Sequence, residues 1–306
     1  VRRRIPLPRD PRPRRRIQLK TIQVLPTLVT AGNLLSGLLA LSYLMDAAAA
    51  TDLARQDALH VKAAWMIFLG MFCDALDGRL ARLMRTTSPF GAQLDSLADV
   101  VTFGVVPAVM CKAIFEDAFP LVAPRLALAL VGVYVLGAAL RLARYNAESA
   151  RVAAGEGPHV TQTFRGLPSP AAAGVVASIV LLRHEHDMRW LEWALLFGMP
   201  VLGVLMISRM PYSHVVNRWV EGRKPLLPVV LLAVAAFLAV SYFEATVAAA
   251  FLAYALSGVV IWVAGVLTGR PAWAFREDED ELGDETQVER APEPAPREEE
   301  IGREAP

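Results

Sequence analysis

Two cysteines and five histidines in 306 residues are too few for a chain built on thiol, redox or zinc chemistry. Cys73 and Cys111 both stand inside apolar stretches, where a small buried hydrophobe is the simplest role, so no disulfide framework is indicated. Neither a glycine-rich phosphate loop, nor a Ser/His/Asp nucleophile set, nor zinc-ligand spacing occurs, and a covalent intermediate is therefore not expected. His184 and His186 beside Asp187 read as a solvated connection. A net charge of +1 gives no ground for a nucleic-acid partner.

What is abundant is apolar. Hydrophobic residues make up 55% of the chain and the mean hydropathy is +0.39, above the roughly 45–50% apolar content of a soluble domain. The near-neutral total conceals two charged ends. Residues 1–23 hold nine Lys/Arg and four prolines and read as a basic, disordered cytoplasmic arm. Residues 276–306 carry 13 acidic and 4 basic side chains, leaving 27 basic against 17 acidic elsewhere; from 271 the chain reads as an acidic, Pro-rich, disordered tail. Between them, 24–270 is expected to form a transmembrane catalytic domain. Eight spans are predicted: 24–45, 63–83, 92–115, 126–145, 168–182, 190–208, 225–243 and 245–268. The fold class is thus an all-α polytopic membrane helix bundle. Ser36 and Ser42 in the first span read as hydrogen bonders between helices. Arg79, Arg82 and Arg85, then Arg141, Arg144, Arg151 and Arg165, then Arg209, Arg218, Arg223 and Lys224 fall on one side. By the positive-inside bias that side is cytoplasmic, with both termini on it.

Four carboxylates break the apolar pattern of the second and third spans: Asp74, Asp77, Asp95 and Asp99. Each costs about 2.5–3.5 kcal/mol at a helix centre, so a compensating interaction is required. Salt bridges to Arg79, Arg82 and Arg85 would be the plain structural answer. The spacing favours more than neutralisation. At about 100° per residue, Asp74, Asp77, Gly78, Ala81 and Arg82 share a face about 140° wide, and Gly91, Asp95 and Asp99 share one on the next helix. The connection between them is short enough to make the helices antiparallel neighbours, and the small residues allow close approach. Oxygen donors without His or Cys select a hard cation, Mg²⁺ or Mn²⁺, and two such ions about 3.5–4 Å apart form the usual clamp for phosphoryl displacement.

The run Asp74-Ala-Leu-Asp77-Gly78-Arg-Leu-Ala81-Arg82, followed at fixed spacing by Gly91, Asp95 and Asp99, resembles the signature of the CDP-alcohol phosphatidyltransferases. The resemblance implies that Asp74, Asp77 and Asp95 bind metal, and that Asp99 binds metal and takes the proton of the incoming alcohol. It also implies that Gly78, Ala81 and Gly91 leave room for the nucleotide of a CDP-lipid, with Arg82 at the same site. The membrane body is further similar to the phosphatidylserine synthase branch, through 25–33 (which supplies Thr30 and Asn33 as donor contacts), 88–99 with Phe103, Gly104 and Pro107, 141–146, and 164–170.

That branch implies CDP-diacylglycerol and L-serine as substrates and a homodimer among membrane lipids. Serine presents a carboxylate and an ammonium beside its hydroxyl. Arg144 and Asn146 offer a planar cation and an amide for these groups, and Arg165 another cation. Arg141 and Arg144 could equally be positive-inside residues, and a phosphorylated acceptor such as glycerol 3-phosphate or inositol phosphate would use the same arginines. From another class, a cation transporter could carry intramembrane acids, though it would place them nearer mid-membrane in broken helices.

Overall fold

The computed structural model describes residues 14–84, 89–119, 124–153, 166–186, 190–208, 210, 212 and 241–268. Among the described residues the elements are all helical: α1 (Arg14–Ala49), α2 (Leu53–Met84), α3 (Pro89–Asp99), a π-helix (Val100–Val105), α4 (Val106–Ala118), α5 (Pro124–Ala153), α6 (Ser169–His186), α7 (Trp190–Ile207) and α8 (Phe243–Leu267). Six of these stretches are long and apolar enough to cross a membrane, and the chain is a multi-pass membrane protein. Helix α6 occupies the fifth expected span. The seventh, 225–243, lies outside the described residues apart from its end, as does the acidic tail.

Helices outrun spans at several ends. α1 begins at Arg14, inside the stretch expected to be a disordered arm, although its membrane-compatible part starts only at Leu25. α2 begins ten residues before the expected span, where the Asp52 carboxylate accepts from the backbone N–H groups of Ala54 and Arg55 (3.4 and 3.3 Å), an N-cap. α5 opens on Pro124, whose missing N–H costs nothing at a first helical position.

The chain divides into two compact units, Val1–Val259 and Val260–Pro306, and the helix packing and the acidic site both belong to the first. α1 packs along α2, α5 along α7, and α2 also against α6. Gly137 and Gly203 let α5 and α7 touch backbone to backbone: a Cβ on Gly137 would lie 2.5 Å from the Gly203 carbonyl oxygen. The core is filled by Ile67, Phe103, Met110, Phe115 and Tyr134, while Leu35, Leu38, Leu136, Leu140 and Phe197 point outward, as lipid-facing residues should.

Between α3 and α4 the third span changes its winding. Pro107 has no N–H to give to the carbonyl one turn back, that of Phe103. The Tyr134 hydroxyl of α5 donates to that carbonyl instead (2.8 Å), and Val106 N–H reaches Val101 O in the five-residue pattern of a π-helix. The wide turn starts immediately after Asp99.

Candidate active site

α2 and α3 bring the acids together. Asp74, Asp95 and Asp99 each offer a carboxylate oxygen, and these oxygens lie within 4.8 Å of one another. Asp99 and Asp77 are buried, Asp74 and Asp95 half-buried. Asp77 stands close enough to repel both Asp74 and Asp95 and accepts a hydrogen bond from the Thr30 hydroxyl of α1 (2.8 Å). Asn33, one turn further along α1 and fully buried, donates through Nδ2 to Asp99 Oδ1 (3.0 Å). Among the described residues no ion pair joins any of the four aspartates to a lysine or arginine. Of the three arginines expected to neutralise them, Arg79 makes no such pair, while the Arg82 side chain and Arg85 lie outside the described residues.

Like charges this close in a poorly hydrated site need a cation among them. Asp95 Oδ1 is buried without a hydrogen-bond partner, and the donor set is all oxygen, so the residues present fit a hard divalent ion. Next to Asp77, Gly78 is exposed, and a Cβ built there would meet nothing within 4 Å. The helix leaves room for a ligand at that point. Gly91 is half-buried at the start of α3. The side chains of Ala81 and Arg82 lie outside the described residues.

On α5, Arg141 is in electrostatic reach of Asp74 and Asp99. Its Nη1 donates to Ser169 Oγ at the start of α6 (2.9 Å), and its Nε is buried without a partner. Ser169 is held in place by Gly166, whose left-handed backbone (φ 86°) and missing side chain let the strap before α6 press on the end of α7; a Cβ there would lie 2.4 Å from the Met206 carbonyl oxygen. Arg144 donates to the Ile207 carbonyl at the end of α7 (3.0 Å), and Asn146 Nδ2 donates to Ser96 Oγ of α3 (2.9 Å). Arg165 lies outside the described residues. Sequence reasoning thus passed over Arg141, for which the one available signal was its place in the stretch 141–146. An apolar cavity of about 370 Å³, lined by Met71, Pro168, Pro170, Ala171, Phe251 and Tyr254, adjoins this strap.

A sequence profile of the CDP-alcohol phosphatidyltransferases matches residues 23–205, which contain the four aspartates, Gly78, Gly91, Thr30, Asn33 and Arg141. The chain belongs to the CDP-alcohol phosphatidyltransferase family. Members of the family depend on a divalent cation, in keeping with the aspartate cluster. Family membership also removes the transporter alternative. Relatives include the CDP-diacylglycerol–serine O-phosphatidyltransferase of Helicobacter pylori strain J99, 33% identical over 198 residues that cover 64% of this chain and 74% of that one. The enzyme of the same name from Bacillus subtilis is 30% identical over 190 residues, 62% of this chain and 90% of its own. That of Saccharomyces cerevisiae is 39% identical over 116 residues, 38% and 40% respectively.

Proposed function

We propose that this phosphatidyltransferase moves the phosphatidyl group of CDP-diacylglycerol onto the hydroxyl of L-serine, producing phosphatidylserine and CMP. The convergence of Asp74, Asp95 and Asp99 beside the open face at Gly78 carries the reaction class. The names of the relatives carry the choice of serine. The serine oxygen attacks the phosphatidyl phosphorus in line. As that bond forms, the phosphoanhydride bond to CMP breaks, CMP leaves with the electron pair, and the hydroxyl proton passes to the Asp99 carboxylate. Mg²⁺ or Mn²⁺, as one or two ions held by Asp74, Asp95 and Asp99 with Asp77 beside them, supplies charge neutralisation for the pyrophosphate when bound.

The protein's own groups do the rest. Gly78, Ala81 and Gly91 admit the nucleotide, with Arg82 and Thr30 bordering it. The apolar cavity takes hydrocarbon of the donor. Arg141, with Arg165 on the following connection, faces the carboxylate of serine, while Arg144 and Asn146 further along α5 brace the helices around it through the Ile207 carbonyl and Ser96; a guanidinium suits that planar anion better than an ammonium. In this reading the site and both termini face the cytoplasm, where serine is supplied, and two copies of the chain pair in the cell membrane.

Purified protein is given CDP-diacylglycerol, Mg²⁺ or Mn²⁺, and one alcohol at a time, and CMP is measured. Release with serine, abolished by EDTA and restored by either ion, is expected. Release with glycerol 3-phosphate or inositol phosphate but not with serine overturns the acceptor and leaves the transferase standing.

A further inference from the structure

We infer that Asn33 is a positioning residue for Asp99, holding that carboxylate in its working orientation, and that the π-helix exists to keep Asn33 there. The inference rests on the reading of Asp99 as the proton acceptor. Only an N–H can face a carboxylate at 3.0 Å, so the orientation of the Asn33 amide is set by Asp99. The cost is visible on its other side: Asn33 Oδ1 is buried with no hydrogen-bond partner. A buried acceptor left unsatisfied in this way marks an amide whose donor end matters more than its acceptor end.

Two further contacts immobilise it. The Thr102 hydroxyl, in the π-helix, donates to the Asn33 backbone carbonyl (3.1 Å), and the Ser36 hydroxyl donates to the same carbonyl (2.6 Å). Thr102 reaches that far because two glycines make way for it. A Cβ on Gly37 would lie 2.6 Å from Thr102 Oγ1, and one on Gly70 would lie 2.6 Å from Thr102 Cγ2 and 3.0 Å from Asn33 Oδ1. The wide turn begins at the residue after Asp99, so the acid, the turn and Thr102 are consecutive on one helical run. Asn33 meets Asp99 from inside the bundle, with its side chain fully buried, which suits the acid better than it suits a donor lipid arriving from the open face.

The test uses the full-length enzyme in detergent with Mg²⁺. Asn33→Leu keeps the volume and removes the amide, Asn33→Ala removes both, and Thr102→Val keeps the shape while cutting the bond to the Asn33 carbonyl. Either change at 33 is expected to lower kcat about tenfold to hundredfold, the loss of one hydrogen bond to a charged group. The serine KM, and the CDP-diacylglycerol dissociation constant measured by calorimetry without serine, should stay within about twofold. Thr102→Val should lower kcat several-fold with the same constancy. A raised donor dissociation constant with kcat preserved overturns the inference and makes Asn33 a donor contact; unchanged kinetics overturn it as well. Should neither variant at 33 insert, Thr102→Val decides by the same two readouts. Failure of the wild-type enzyme to release CMP with serine is a different result, and removes the acceptor assignment instead.

Discussion

At the scale of single residues, stability and function pull apart around the aspartates. Each acid adds repulsion to its neighbours and earns its place only through what it binds. Asp74→Asn and Asp95→Asn are therefore expected to abolish CMP release while the thermal midpoint of the metal-free protein holds or rises; near-normal turnover in saturating Mg²⁺ would remove that residue from the metal set. Gly78→Ala works by the same logic without touching charge. Its Cβ meets no protein atom, and alanine in a helix is favoured over glycine by up to about 1 kcal/mol, so stability should hold or improve while affinity for CDP-diacylglycerol falls. Equal affinity in a binding titration would show that the space beside Asp77 is not used. Arg141 and Arg144 of α5 separate in the same way. Arg141→Ala should raise the serine KM about tenfold to hundredfold, with lysine rescuing only in part. Arg144→Ala, which frees the Ile207 carbonyl at the end of α7, should weaken both substrates together. From sequence alone Arg144 was expected to meet serine and Arg141 was not; the anchor at Ser169 and the reach toward Asp74 and Asp99 bring Arg141 forward.

At the scale of helices, the acidic faces were readable because Gly91, Asp95 and Asp99 all precede the change of winding, so a regular 100° turn describes them correctly. The pattern did not reveal that Asp77 would be engaged by Thr30 while its three neighbours converge, since that depends on how α1 lies across α2. Nor was the π-helix legible, although Pro107 was in plain view. Its effect needs the Tyr134 hydroxyl, on another helix, to donate to the orphaned carbonyl. Ser36, read from sequence as a contact between helices, bonds back to its own. Hydropathy also missed the ionic tie among α2, α6 and α7, where Arg183 meets Asp57 and, at 3.0 Å, Glu192; the Arg183 and Glu192 side chains are only 17% and 10% exposed. Removing one partner of a buried pair strands the other, so Arg183→Leu should cost about 3 kcal/mol in a denaturant titration of the purified protein, with the chemistry of the surviving folded fraction intact. An unshifted midpoint would mean that water already shares that site.

At the scale of the whole molecule, what could be read in advance was whatever the bilayer enforces. A membrane admits few backbone solutions, so apolar length and the placement of basic residues carry most of the architecture. Where the bilayer's grip ends, at the far ends of α1, α2 and α5, capping residues and helix propensity took over and the helices ran on past the expected limits. The acidic stretch 276–306 lies outside the described residues, and its sequence is expected to be under neither constraint. Its 13 acidic side chains and scattered prolines predict too few apolar residues for a packed face, and the family profile ends at residue 205, far short of it. Catalysis should therefore survive its removal. A chain truncated after Arg276 and reconstituted in vesicles of the same lipid composition is expected to keep kcat and both KM values within about twofold of the full-length enzyme. Loss of most activity in a correctly inserted truncation would assign the tail an assembly or regulatory role, and a gain at low ionic strength would identify it as an electrostatic brake on the +10 body that precedes it.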